Sequence, residues 1–257
     1  MAIDFHSRAN RGSYASRHAD DGWKAAIRRI VEPSGKRVAD IGCGGGIYSQ
    51  AWHELGAGTV TGVDFSQAMV DAARERAAGI AGISFRQGEA AATGLPTASA
   101  DIVFQRALIH HLRDYGPCFA EAWRVLAPGG TLIVQDRTPD DVRLLGSAEH
   151  VRGYFFECFP RLLVVETGRR PTDAAVRTAL DAMGFTKVEM SVLWEVRKVH
   201  HDWQELKQDL AKRTGRSILH DLNDTELAEL IAYIETRLPA DGPIVEKDRW
   251  TLWSAVA

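Results

Sequence analysis

The sequence predicts an α/β fold in which a doubly wound, mostly parallel sheet carries a helical insertion. Three observations point there. Short apolar runs alternate with helix-patterned segments from residue 37 to residue 136. A glycine-rich loop follows the first of those runs directly. Roughly forty residues separate the last two strand-like runs, where a hairpin loop would need only about 2–5.

The elements follow in order. A polar opening leads into a helix over 22–31, with Trp23, Ala26, Ile27 and Ile30 on one face, and Pro33-Ser34-Gly35 stops it. Residues 37–41 form a strand that runs into the glycine loop. A helix over 47–55 closes at Gly56. The second strand is 59–64, followed by a helix over 66–78 with Ser66 as its N-cap. Strands at 83–87 and 101–105, a helix at 118–126 and a strand at 131–136 complete the first half. Pro128-Gly129-Gly130 reads most simply as the turn before that last strand. This rhythm is that of βαβ units, whose right-handed crossovers put ligands at the carboxyl ends of the strands.

Beyond residue 138 the rhythm changes. Residues 139–171 hold Tyr154, Phe155, Phe156, Phe159, Arg161, Arg169 and Arg170 without a clear period. A helix over 176–183 ends at Gly184, and 186–199 is strand-like. Helices at 202–212 and 225–238 precede a final strand at 249–256.

Composition excludes several classes. The chain has 257 residues, 45% hydrophobic and 25% charged, enough to bury a core without disulfides or a structural metal. A net charge of -3 with scattered basic residues gives no footprint for nucleic acid. Three cysteines without a CxxC pair fit a reducing cytoplasm. No signal-like N-terminus or eighteen-residue apolar run occurs, so no membrane span is expected.

The loop reads Asp40-Ile41-Gly42-Cys43-Gly44-Gly45-Gly46. Its glycines permit a tight turn and let backbone N–H groups approach a ligand at a helix N-terminus. A GxGxxG dinucleotide loop counted from Gly42 would need glycine at 47, where Ile47 stands. Asp40 is ill-suited to a pyrophosphate and well suited to a cation. Taken alone, the glycines would be a simple turn and Asp40 a helix cap. Asp64, at the end of the second strand, is placed to accept ribose hydroxyl protons. Phe65 and Met69 are candidates to line adenine, and Glu89, after the third strand, to accept from its amino group.

These residues resemble the class I S-adenosylmethionine-dependent methyltransferases, especially the ubiquinone/menaquinone-biosynthesis-like subgroup (methyltransferase type 11). The resemblance covers about residues 36–136, through Val38 to Gly46, Val63-Asp64-Phe65-Ser66, Gly94-Leu95-Pro96 and Arg124 to Gly130. The whole chain is also similar to a bacterial branch of small-molecule methyltransferases. That likeness rests on Asp4-Phe5-His6-Ser7, Gln135-Asp136-Arg137-Thr138-Pro139 and Arg213-Thr214-Gly215-Arg216-Ser217. It implies a seven-stranded Rossmann-like sheet whose last strand is antiparallel. It implies S-adenosyl-L-methionine as cofactor, its methionine end held by Asp40, Gly42, Cys43, Gly44 and Gly46 and flanked by Gln105-Arg106. Asp64 would then hold the ribose and Glu89-Ala90 the adenine; relatives often carry Asp where this chain has Glu89.

The organisation expected is an N-terminal lid or helix at 1–35, a cofactor-binding core at 36–138, and the rest of the sheet at 139–257. Substrate-capping insertions at 139–171 and 200–240 leave effectively one domain. Tyr14, Arg17 and Trp23 are candidates to fold over the cofactor, with core packing favoured for Trp23 taken alone. His110 and His111 are candidate catalytic bases, or a loop-orienting pair. Adjacent side chains diverge, so neither this pair nor His200-His201 suggests a metal, and none is expected. Arg106, Arg137, Arg169 and Arg170 are candidates for an anionic substrate, with surface or loop-bridging ion pairs favoured for Arg169 and Arg170. Arg137 and Trp194 are the substrate-wall candidates; Trp203, Trp250 and Trp253 read as packing.

The expected activity is methyl transfer to a small-molecule N, O, S or C nucleophile by a cytoplasmic monomer or homodimer. A non-catalytic cofactor-binding or partner-binding protein and a nicotinamide oxidoreductase on a similar sheet are the alternatives.

Overall fold

The computed structural model describes residues 19–213, 215–239 and 241–257. Tyr14, Arg17, the opening motif at 4–7 and Thr214 lie outside the described residues. Seven strands form one sheet: β1 Arg37–Ile41, β2 Thr59–Asp64, β3 Ile83–Gln87, β4 Ala100–Arg106, β5 Leu126–Asp136, β6 Thr186–His200 and β7 Ile244–Val256. Their order is β3-β2-β1-β4-β5-β7-β6. Every pairing from β3 to β5 is parallel, and β7 is antiparallel to both β5 and β6. This is the doubly wound, seven-stranded fold expected. The chain reverses its winding between β1 and β4, the switch point where such sheets bind ligands.

Alternation along the strands builds a core on each face. Ile102 and Phe104 of β4 join α1 (Asp21–Ile30) and α2 (Ile47–Glu54) through Trp23, Ile27 and Trp52. Val103 faces the other way, onto Phe119 and Val125 of α4 (Gly116–Val125) and Leu180 of α8 (Asp173–Ala182). Trp23 is fully buried in edge-to-face contact with Trp52 and Phe104, at centroid distances of 5.6 and 5.7 Å. It therefore belongs to the core. Its start is fixed by Asp20, whose carboxylate accepts from the Trp23 N–H at 2.7 Å. A smaller cluster joins Val70 and Ala73 of α3 (Gln67–Arg76) to Phe85 and Cys43.

The region without a clear period is helical: α5 Pro139–Val142, α6 Val151–Cys158 and α7 Pro160–Gly168. Helices this short complete too few turns to display a period, and half of their polar residues are buried. Between β6 and β7 come α9 Trp203–Ala211 and α10 Asp224–Glu235, capped by Asp202 and Asn223. These five helices share a hydrophobic core of their own, in which Val151, Phe155 and Leu162 meet Leu206, Leu210, Leu230 and Ile234. We refer to them as the cap.

Two strands begin earlier than the pattern predicts. β5 starts at Leu126, which pairs with Ala100 across an irregularity before the regular ladder of Thr131–Asp136. β7 starts at Ile244, because Glu246 and Asp248 point inward and break the apolar alternation. Only Thr251 to Val256 of β7 pair with β5. Ile244 to Trp250 continue past the carboxyl edge of the sheet as a two-stranded ribbon with β6.

Candidate active site

The glycine loop stands at the carboxyl end of β1. Gly42, Gly44 and Gly46 all have positive φ (78, 50 and 78°), the conformation that favours glycine. A Cβ on Gly46 would lie 2.9 Å from Phe85 Cζ and 3.0 Å from Ala73 Cβ, so glycine there also lets α3 close on the loop. A Cβ on Gly44 or Gly45 would meet nothing within 4 Å, leaving that side of the loop open. Cys43 is buried and its thiol is held well above its usual range, first by burial and then by Asp40 and Asp64. Burial therefore favours the thiol over the nucleophilic thiolate.

Two carboxylates flank the loop. Asp40 is 1% exposed and accepts a 2.6 Å hydrogen bond from the Ser49 hydroxyl. Burial pushes its pKa up to about 7, with Asp64 adding to the rise and Arg106 opposing it. Asp64 is buried at the end of β2 and accepts from the backbone N–H groups of Gly44 and Ser66, both at 2.9 Å. Its pKa is also raised by burial, against those two N–H donors. Beside it Phe65 is 46% exposed, while Met69 is buried in α3. Glu89 is exposed beyond β3, paired across a one-residue bridge with Ala92, and Ala90 is half-buried next to it.

Gln105 and Arg106 end β4. Gln105 is fully buried; its Nε2 donates to Cys118 Sγ at 3.3 Å and its Oε1 has no partner. Arg106 donates to Glu195 at 2.8 Å and lies 4.2 Å from the ring centroid of Tyr48 and 4.1 Å from that of Trp250. Tyr48 also hydrogen-bonds Glu195. Glu195 and Tyr48 were not evident in the sequence. The available signal was an inverted alternation on β6, where Met190, Val192 and Trp194 are exposed while Leu193 and Glu195 are buried.

After β4, a single 3-10 turn over Ile109–His111 presents the histidines. His110 Nδ1 lies 2.9 Å from both oxygens of Asp136, the last residue of β5, and its backbone N–H donates to the same carboxylate at 3.2 Å. Burial lowers the His110 pKa, only partly countered by Asp136. Contrary to the divergence expected of neighbours, the His110 and His111 rings lie 4.0 Å apart between centroids, tilted by 41°. The tight turn and the two bonds from Asp136 hold the His110 ring back over its neighbour. His111 is the more exposed of the two.

Arg137 is buried, donates to Asp248 at 2.8 Å and lies 4.2 Å over Trp250. Arg170 makes bridging rather than surface ion pairs. It is buried against Asp136, at 3.2 Å, and Glu166. Arg169 is partly exposed and pairs with Glu166. Trp194 stands on the face of β6 opposite Glu195, edge-on to His150 at 5.5 Å. The structure thus gathers Asp40, Asp64, Gln105 and Arg106 at one sheet edge and leaves Trp194 outside that group. One set of possible metal ligands occurs among the described residues: His200, Asp209 and Glu246. Their carboxylates are already taken by cations, since Arg216 bonds both and Arg197 bonds Glu246 at 3.0 Å.

Residues 39–134 match the methyltransferase-domain family. The chain is 34% identical over 152 residues to a demethylmenaquinone methyltransferase of Deinococcus radiodurans, covering 58% of this chain and 62% of that protein. It is 33% identical over 117 residues to a trans-aconitate 2-methyltransferase of Acidovorax, covering 45% and 43%. The chain therefore spans about two fifths to three fifths of the length of these relatives. Among solved structures, an S-adenosylmethionine-dependent methyltransferase from Mesorhizobium loti superposes with a TM-score of 0.52 at 22% identity, covering 91% of this chain and 97% of that one. Phosphoethanolamine N-methyltransferase 2 of Haemonchus contortus superposes with a TM-score of 0.60 at 18% identity, covering 99% and 60%. The stretch from residue 39 to residue 134, which contains the glycine loop and both carboxylates beside it, is the part of the chain that matches the methyltransferase-domain family.

Proposed function

We propose that this protein transfers a methyl group from S-adenosyl-L-methionine to a small-molecule nucleophile. The observation that carries the reading is Asp40, a buried carboxylate beside the open side of the glycine loop, to which no salt bridge runs among the described residues. A cationic ligand there would stabilise the ionised carboxylate against the burial that raises its pKa. The residues present fit the cofactor: Gln105 offers an unpartnered buried oxygen, Gly44 and Gly45 leave room, and Asp64 offers a carboxylate to ribose hydroxyls. Phe65, Met69, Glu89 and Ala90 flank the adenine in this reading. When bound, the cofactor supplies a methyl group already activated by its sulfonium. The chain's own residues align the acceptor and exclude water. His110, with Nδ1 held by Asp136, takes the acceptor's proton at Nε2, and His111 is the more exposed alternative. The relatives' names, a demethylmenaquinone and a trans-aconitate methyltransferase, support a small organic acceptor. Three free cysteines support a cytoplasmic setting, and we take the protein as a monomer or homodimer; no described helix is long and apolar enough to cross a membrane.

Calorimetric titration with S-adenosylhomocysteine tests the reading. Asp64→Ala removes the ribose acceptor. Gly44→Val places a side chain in the open space and strains a φ of +50°. Each is expected to weaken binding by at least about 100-fold, the scale of losing a charged hydrogen bond in a buried site. Wild-type affinity in either variant overturns the assignment.

A further inference from the structure

Where β5 ends against α6 and α7, four arginines and three carboxylates form one cluster. Arg137 and Arg152 share Asp248, at 2.8 and 3.0 Å. Arg152, Arg169 and Arg170 share Glu166, which is fully buried. Arg170 also reaches Asp136, the carboxylate that holds His110. Four positive charges thus face three negative ones. His110 cannot restore the balance, since protonation would only add positive charge, and burial favours its neutral form.

No neighbouring group supplies the missing charge among the described residues. Arg106 and Glu195 form a matched pair, as do Arg249 and Asp141. Arg197 and Arg216 are matched by Asp209 and Glu246. The Nε–H groups of Arg137, Arg169 and Arg170 have no acceptor, as holds also for that of Arg106 in its matched pair, and Arg137 and Arg170 are more than nine-tenths buried. Burial, then the Arg152 and Arg170 guanidiniums, pull the Arg137 pKa down to about 9. A self-contained structural network would be expected to close its own charge and its own hydrogen bonds. This one does not close its charge.

The cluster adjoins the proposed methyl-transfer site. Asp136 follows Gln135, which pairs with Arg106 at the end of β4. On the solvent side Arg169 is about one-third exposed. Resting on the methyl-transfer reading above, we infer that the acceptor carries a carboxylate group, held by Arg137, Arg169 and Arg170 as the missing counter-charge of this cluster. Guanidinium forks match carboxylates in geometry as well as charge. The deficit of one charge selects a monoanion over a phosphate dianion.

The test uses the whole protein saturated with S-adenosylhomocysteine. Formate, acetate and benzoate are titrated against formamide, acetamide, benzamide and inorganic phosphate, by calorimetry and thermal shift. Each carboxylate is expected to bind at least about tenfold more tightly than its amide, the scale of one charge-assisted hydrogen bond. Arg137→Gln and Arg169→Gln are each expected to weaken benzoate about tenfold or more while leaving S-adenosylhomocysteine affinity unchanged. Arg169 is partly exposed, so its variant keeps the test decisive if Arg137→Gln fails to fold. Equal binding of acids and amides, tighter binding of phosphate, no carboxylate binding, or unchanged benzoate affinity in a folded variant overturns the inference. Failure of wild-type protein to bind S-adenosylhomocysteine is a separate result, and it removes the methyl-transfer reading itself.

Discussion

Replacing Asp40 with Asn should make the ligand-free protein more stable and the ligand-bound protein comparatively worse off. Burial lifts the Asp40 pKa from the usual 3.8 to about 7. At 1.36 kcal/mol per pH unit, ionising it in the folded state costs about 4 kcal/mol more than in the unfolded chain. The folded state holds the proton more tightly, so wild-type stability falls as pH rises from about 4 to about 7 and levels off above that. An asparagine never ionises, and its amide oxygen can still accept from Ser49. The variant should therefore gain about 2 kcal/mol over wild type at pH 5 and about 4 kcal/mol at pH 8. Urea denaturation at the two pH values reads this directly. Adding S-adenosylhomocysteine at 100 times its Kd should stabilise the wild type by about 2.7 kcal/mol and the variant far less. A gain that is the same at both pH values, or a wild type that is the more stable at pH 8, refutes the reasoning. Either result would mean that Asp40 carries no buried charge awaiting a cation.

Gly46→Ala should destabilise the fold by about 1–3 kcal/mol, from strain at positive φ and from collision with Phe85 and Ala73; an unchanged urea midpoint would contradict this. His110→Gln should lower kcat by about 10²- to 10⁴-fold with little change in KM. It should also remove the wild-type acid limb, which lies below pH 6.5 because burial lowers the His110 pKa. A variant that keeps full kcat would exclude His110 as the base.

Parts of this molecule were legible in the sequence for a simple reason. In β1, β2 and β3 both strand faces or one whole face are apolar, and the loops after them carry glycines and carboxylates with few other uses. Asp40, Asp64, Gln105 and Arg106 are strand-end residues, so locating the strands located them. The acceptor side resisted because it breaks the rule that charge lies outside. Glu166, Glu195, Glu246 and Asp248 are all buried; the last three meet arginines distant in sequence, and Glu166 meets Arg169 and Arg170 one turn on. On β6 the exposed positions are instead Met190, Val192 and Trp194. An alternation read from hydropathy alone assigns both sets to the wrong face. Pairings such as Arg106 with Glu195, or Arg137 with Asp248, leave no local trace in the chain.

The cap core has a consequence for how the chain assembles. Its contacts join α6 and α7 to α9 and α10, as in the Tyr154–Tyr233 ring contact, with the β6 strand threaded between the two halves. The helices of each half pack on one another, but the apolar surface facing the other half stays uncovered until that half has been synthesised and β6 has found its place beside β7. Such distant contacts must offset the entropy of closing a long loop before they gain anything in return. The five-strand parallel portion also makes distant contacts, as between Phe104 and Trp23, but each of its strands has in addition a helix next to it in sequence to pack on. The cap is therefore the late-closing part of this molecule, and the Val151–Phe155–Leu162 surface is the one a ribosome-bound or truncated chain would leave bare.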